Sequence, residues 1–202
     1  KQGKVYENAE KYSFLRAIKA VERASITLIV LDGSKDIEEQ DKRIAGYPLD
    51  VNSGVIIVVN KWDLVDKDSK TMNKYIEKIR SHFLYLGYAP IVFLSALNKD
   101  RIQTLFDTIN EVYENYTRRI PTNVLNDVIL DATLFFPAAT FNGGMLKVNY
   151  VSQVASAPPT FVFFVNDPKY LHFSYQRYLE NQIRKSFIFD GAPIKMIFRK
   201  KE

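Results

Sequence analysis

The run Val55-Ile56-Ile57-Val58-Val59 constrains the fold of this chain more than any other segment. Five consecutive β-branched residues are stiff at χ1 and favour extended backbone. A strand that is apolar on both faces must be covered on both faces, which is the habit of parallel sheets in α/β folds. Two further runs agree. Ser25-Ile26-Thr27-Leu28-Ile29-Val30-Leu31 ends at the turn Asp32-Gly33-Ser34, and Pro90-Ile91-Val92-Phe93-Leu94 leads into Ser95-Ala96-Leu97. Segments with charges and apolar residues at helical spacing fall around them, near 9–23, 36–47, 69–86 and 101–116. Strand alternating with helix predicts parallel pairing through crossovers, and such sheets bind ligands beyond the carboxyl ends of their strands.

At one such end stands Asn60-Lys61-Trp62-Asp63. An aspartate carboxylate accepts hydrogen bonds from the ring N–H and the exocyclic amine on one edge of guanine. Adenine lacks that donor pair, so discrimination comes from polar groups left unpaired. Asn60 is suited to tying loops together, and the stem of Lys61 to lying along the base. Ser95 and Ala96 follow the next strand, where the Ala96 amide would reach the guanine carbonyl. The alternative is a surface Asn-Lys turn followed by a helix-capping Asp63. The strand before the motif and the second strand with Ser-Ala after it favour the base-recognition half of a GTP site. The other half is missing: the chain contains no Gly-x4-Gly-Lys-Ser/Thr and no Asp-x-x-Gly. Lys61 belongs to the base motif and does not replace a phosphate-binding lysine.

At 202 residues the chain fits one large domain or two small ones. It has no cysteine, hence no disulfide framework and no thiolate metal site. Its apolar runs are far shorter than a membrane span, and the basic N-terminus has no signal-peptide core. A soluble cytoplasmic protein without a membrane partner is expected. His82 and His172 are far apart and read as packing or surface residues. Charge is uneven. Residues 1–116 hold 17 Lys/Arg and 17 Asp/Glu, whereas residues 117–202 hold 11 and 6, so the net +5 lies in the second part. That asymmetry points to two domains, the second facing an anionic partner; a plain solubility charge is the other explanation.

Arg118-Arg119-Ile120-Pro121-Thr122 breaks the alternating pattern and marks the expected boundary, with domains at 1–117 and 118–202. Thr122 is expected to cap a helix ending before Pro137. A turn at Asn142-Gly143-Gly144, a strand at 145–151, a strand at 160–166, a helix at 171–187 and a strand at 194–199 complete a small α+β sandwich.

These residues carry a resemblance to the C-terminal part of the bacterial double-GTPase family Der, also called EngA. Lys11-Tyr12-Ser13-Phe14-Leu15-Arg16 with Lys19-Ala20 resembles the switch II helix of the family's second G domain, and Glu39 to Gly46 the segment after the next strand. Asn60-Lys61-Trp62-Asp63-Leu64 resembles its guanine motif and Ser95-Ala96-Leu97 its second base loop. The block from Pro158 to Pro168, continuing through Leu171 to Asn181, is close to diagnostic of its last domain. The resemblance implies an α/β fold: an incomplete P-loop-type G domain, a parallel sheet with flanking helices, followed by a small α+β KH-like domain. It implies GTP and GDP as ligands, with Mg²⁺ in the intact protein held by residues outside this chain. It also implies GTP hydrolysis coupled to assembly of the large ribosomal subunit and its rRNA, a first G domain packed against the KH-like domain, and a monomer. Lacking the first G domain, the phosphate loop and switch I, the chain reads as a fragment. A non-catalytic RNA- or ribosome-binding module on a degenerate G-like scaffold is the competing reading.

Ordinary KH domains clamp a nucleic-acid backbone with Gly-x-x-Gly, a pattern that Asn142-Gly143-Gly144-Met145 does not match. RNA contact would rest instead on a cationic edge, above all Lys195, Arg199, Lys200 and Lys201. A solvated tail is the equal alternative for the last three. Phe161, Phe163 and Phe164 read as strand core rather than a base-stacking platform, and Tyr170, Phe173, Tyr175 and Tyr178 as a helix face packed on the sheet.

Overall fold

A computed structural model describes residues 16–201. The chain divides into two compact units, Lys1–Tyr113 and Glu114–Glu202. The Lys11–Leu15 part of the expected switch II helix lies outside the described residues; residues 16–23 are helical.

In the first unit, β1 (Ile26–Asp32), β2 (Gly54–Asn60) and β3 (Ile91–Phe93) form a parallel sheet in that order. Helix α1 (Glu39–Asp50) joins β1 to β2, α2 (Thr71–His82) joins β2 to β3, and α3 (Ile102–Thr117) follows β3. The all-apolar β2 is covered on both faces. Val55, Ile57 and Val59 join Ala45, Trp62, Ile79 and Phe83 in one core. Ile56 and Val58 face Val92, Leu94 and Val112 in the other, with Ile102, Leu105 and Ile109 of α3 packed on it. Val55, Ile56 and Ile57 are 0 % exposed, and burying each such side chain is worth about 1.5–3 kcal/mol. Helix α1 starts at Glu39, later than expected, because Glu38 and Asp41 form a reciprocal capping box there. Helix α2 is shorter than expected: the backbone leaves helical geometry at Phe83, and a 3₁₀ turn, Leu84–Leu86, follows.

The second unit contains the last turn of α3, α4 (Thr122–Phe135), the hairpin β4 (Thr140–Phe141) and β5 (Gly144–Met145), then β6 (Val148–Ser156), β7 (Pro159–Val165), α5 (Phe173–Ser186) and β8 (Lys195–Lys200). The sheet runs β6-β7-β8, antiparallel then parallel. Its inner face meets α4 and α5 in one core containing Leu125, Ile129, Val151, Phe161, Phe163, Leu179 and Ile183. Pro121 rather than Thr122 occupies the N-cap of α4, without a side-chain cap bond. Asn142 and Gly143 both have positive φ (50° and 82°), the geometry that a two-residue hairpin turn demands. The expected strand at 145–151 is displaced: Met145 belongs to the hairpin, residues 146 and 147 to neither strand, and β6 runs from Val148 to Ser156.

Gln153, 5 % exposed, fixes the start of this unit. Its Oε1 accepts from the Ile120 amide at 2.8 Å, and its Nε2 donates to the Arg118 carbonyl at 2.8 Å. The chain end is also held, because the Lys201 amide donates to the Val165 carbonyl at 2.9 Å. Arg199 and Lys200 therefore belong to a strand rather than a free tail. No described helix is long and apolar enough to cross a membrane.

Candidate guanine-recognition site

Asp32 and Asn60 are register partners at the carboxyl ends of β1 and β2, and β3 ends two residues before Ser95. Parallel pairing thus brings three loops to one edge of the sheet. Asn60 is half-buried, and its Oδ1 accepts from the Ala96 amide at 3.0 Å. The Trp62 amide donates to the Leu94 carbonyl at 3.1 Å, and the Leu94 amide to the Val59 carbonyl at 2.9 Å. The two motifs, more than thirty residues apart, are therefore one hydrogen-bonded structure.

Trp62 anchors this arrangement. It is 7 % exposed, edge-on to Tyr75 at 5.0 Å between centroids and 4.5 Å from Phe93. Such aromatic pairs add about 0.5–1.5 kcal/mol beyond burial. With Trp62 turned inward, Lys61 adopts a left-handed conformation (φ 59°, ψ 32°) and is exposed. Asp63, half-buried, is the middle residue of the short 3₁₀ turn Trp62–Leu64; Lys61 holds the N-cap position and no side chain caps the turn, so Asp63 is not the helix cap of the alternative reading.

The Lys61 ammonium is held by Asp32, the last residue of β1. Its Nζ donates to Asp32 Oδ2 at 2.7 Å. The other carboxylate oxygen of Asp32 accepts from the Ser34 hydroxyl at 2.6 Å and the Ser34 amide at 3.0 Å. The hydrogen bond from Lys61, followed by the two from Ser34, holds the Asp32 carboxyl far below the ordinary aspartate range. A depressed folded-state pKa means that this contribution to stability is complete above the unfolded aspartate value of about 3.9 and is lost as pH falls below it. Gly33 closes the seam. Its amide donates to the Asn60 carbonyl at 2.8 Å, and a Cβ there would stand 2.9 Å from that same oxygen. The Tyr75 hydroxyl donates to the Gly33 carbonyl at 2.8 Å.

Ser95 is buried and shapes the second loop. Its backbone pairs with Asp100 in both directions (3.2 and 3.0 Å), and its Oγ accepts from the Asn98 amide at 3.2 Å. Ala96 is exposed beside it. The structure thus gathers Asn60, Lys61, Asp63, Ser95 and Ala96 at one sheet edge, with Asp32 added. The signal for Asp32 was its place at the end of the neighbouring strand, which only the pairing register turns into a contact.

The other proposed residues lie on β8. Lys195, Arg199 and Lys200 are exposed on that strand, and Lys201 follows it. Phe161 and Phe163 are fully buried as core, but Phe164 is half-buried on the opposite face; Phe173 is 63 % exposed rather than packed. His82 Nδ1 lies 2.8 Å from the Lys78 carbonyl oxygen, and His172 caps α5 by accepting from the Ser174 amide at 3.3 Å. No group of three or more His, Cys, Asp or Glu suited to a metal occurs among the described residues.

Residues 119–199 match the family described as KH-domain-like of EngA bacterial GTPase enzymes, C-terminal, and residues 13–115 match the Elongation factor Tu GTP binding domain. GTPase Der of Halalkalibacterium halodurans is 54 % identical over 201 residues, covering 100 % of this chain and 46 % of that protein. GTPase Der of Bacillus cereus is 58 % identical over 202 residues, with the same coverage. The chain therefore spans about half the length of the curated relatives it matches. A crystal structure of Aquifex aeolicus Era bound to GDP.AlF4- covers 91 % of this chain and 67 % of that one at 17 % identity and a TM-score of 0.42, a likeness too loose to carry an argument.

Proposed function

The chain belongs to the Der (EngA) family of bacterial GTPases, and on that premise we propose that it supplies the guanine-reading half of a GTP site. In this reading the parent protein hydrolyses GTP to GDP and phosphate and acts in assembly of the large ribosomal subunit. Asp63 accepts from the two donors on the guanine edge, Lys61 lies along the base, and the Ala96 amide meets its carbonyl. Asn60 holds the two loops in register, and Ser95 shapes the second. The phosphate grip and the Mg²⁺ ligands would come from the part of the longer relatives that this chain does not span. In the second unit, Lys195, Arg199, Lys200 and Lys201 face RNA phosphates, and rRNA of the large subunit is the proposed partner.

The observation that supports this best is the 3.0 Å bond from the Ala96 amide to Asn60 Oδ1. It joins both base loops through the chain's own groups, and a bond of this kind leaves less to be ordered on binding. The deciding experiment is nucleotide competition on the full-length parent with the guanine-reading Asp of its first G domain replaced by Asn, so that only this site reports: GDP should displace a labelled guanine nucleotide and ADP should not, even in 100-fold excess (about 2.7 kcal/mol of discrimination). Equal displacement by ADP would remove the base-reading assignment.

Asp32 supplies a second test. Removing its charge frees the Lys61 ammonium to swing away from the base. Asp32→Asn is expected to weaken GDP binding by about tenfold, mainly through faster release, without changing the preference for GDP over ADP. Stopped-flow release rates check this, and a wild-type rate would show that Lys61 is positioned without Asp32.

A further inference from the structure

The outer face of the β6-β7-β8 sheet offers a chemistry that the cationic edge alone does not. Helices α4 and α5 pack on the inner face; on the outer face Thr160 and Val162 are buried, and the opening lies at the Tyr150 end. The pairing register sets Tyr150, Phe164 and Arg199 side by side in one row across the three strands. The neighbouring row, Val151-Phe163-Phe198, points into the core, so this row points out. Tyr150 is 44 % exposed, and its ring centroid lies 6.0 Å from that of Phe164 at a 38° tilt. Further along the same face, Lys195 pairs with Thr160. Among the residues of β6, β7 and β8 there are three cations, Lys195, Arg199 and Lys200, and no carboxylate.

We infer that this sheet face binds single-stranded RNA, with bases stacking on Tyr150 and Phe164 and Arg199 and Lys195 contacting the phosphates between them. The inference rests on the RNA-facing reading of the second unit and gives it a geometry. A polyanion that also presents flat π-faces is the partner complementary to aromatic rings set among cations on strands that carry no acid. An apolar protein segment would use the rings and leave the cations unanswered. A duplex would use the cations and leave the rings unanswered, because its bases are already stacked.

The test is fluorescence anisotropy of a labelled 12-nucleotide single-stranded RNA with the 202-residue chain over a salt series, beside the same sequence as a duplex. The single strand should bind more tightly than the duplex. Tyr150→Ala should weaken single-strand binding about tenfold at every salt concentration and leave the salt slope unchanged. Tyr150→Phe should bind within about twofold of wild type, because a ring suffices for stacking. Arg199→Gln should weaken binding and reduce the salt slope by roughly one ion. Wild-type affinity in Tyr150→Ala, with Arg199→Gln still impaired, would overturn the stacking face and leave the charged edge standing. Absence of RNA binding by the wild-type chain would overturn both, without touching the GDP-versus-ADP result.

Discussion

Asp63→Asn in the full-length parent is expected to lower GDP affinity by roughly 100- to 1,000-fold and to shift preference towards xanthosine diphosphate. The size follows from the chemistry. Two hydrogen bonds to an ionised acceptor contribute about 1.5–3 kcal/mol each, and an amide can accept only one of the two donors while turning its own NH₂ towards the other. Xanthine carries a carbonyl where guanine carries the amine, so it accepts from that NH₂. Asp63 is half-buried in a short turn to which its side chain gives no cap bond, so the exchange should leave the fold intact. Calorimetry with both diphosphates checks the prediction. Unchanged affinity for both would mean that Asp63 does not touch the base.

A second large effect is expected from Phe163→Ala. Phe163 is 0 % exposed and stacks on Phe198 with centroids 4.9 Å apart and planes 20° from parallel. Removing a buried aromatic ring costs about 3–5 kcal/mol, because the cavity collapses only in part. The loss should fall on the second unit alone, since the cores of the two units share no residue. Trp62 is the only tryptophan in the chain and sits in the first unit, so its fluorescence reports that unit's unfolding. In a denaturant titration, the far-UV signal of Phe163→Ala should lose stability early while the Trp62 transition stays in place. Movement of the Trp62 transition by the same amount would contradict two independently stable cores.

The contrast between these sites explains what was legible in the sequence. Strand β2 was evident because five β-branched residues admit few environments other than a strand covered on both sides. The base motif was evident because it follows that strand directly. Asp32 was not, since its role depends on which residue of β2 it pairs with, and register is set by packing rather than by local composition. Phe164 was hidden for a related reason. In Phe161-Val162-Phe163-Phe164-Val165 every residue is apolar, so alternation of faces leaves no mark in the pattern. Only the neighbours Tyr150 and Arg199 show which way it faces. The hairpin Thr140–Met145 was missed as a pair of strands because each has only two residues, although its Asn-Gly turn was plain.

Amide NMR on the 202-residue chain shows whether the loops after β2 and β3 recognise guanine. GDP and ADP would each be titrated to millimolar concentration, because base contacts without a phosphate grip bind weakly. GDP should shift the Ala96, Lys61 and Asp63 amides in a saturable way, while the amides of the second unit and the ADP titration stay flat. Equal shifts with ADP, or GDP shifts confined to residues away from these loops, would mean that the loops do not read guanine.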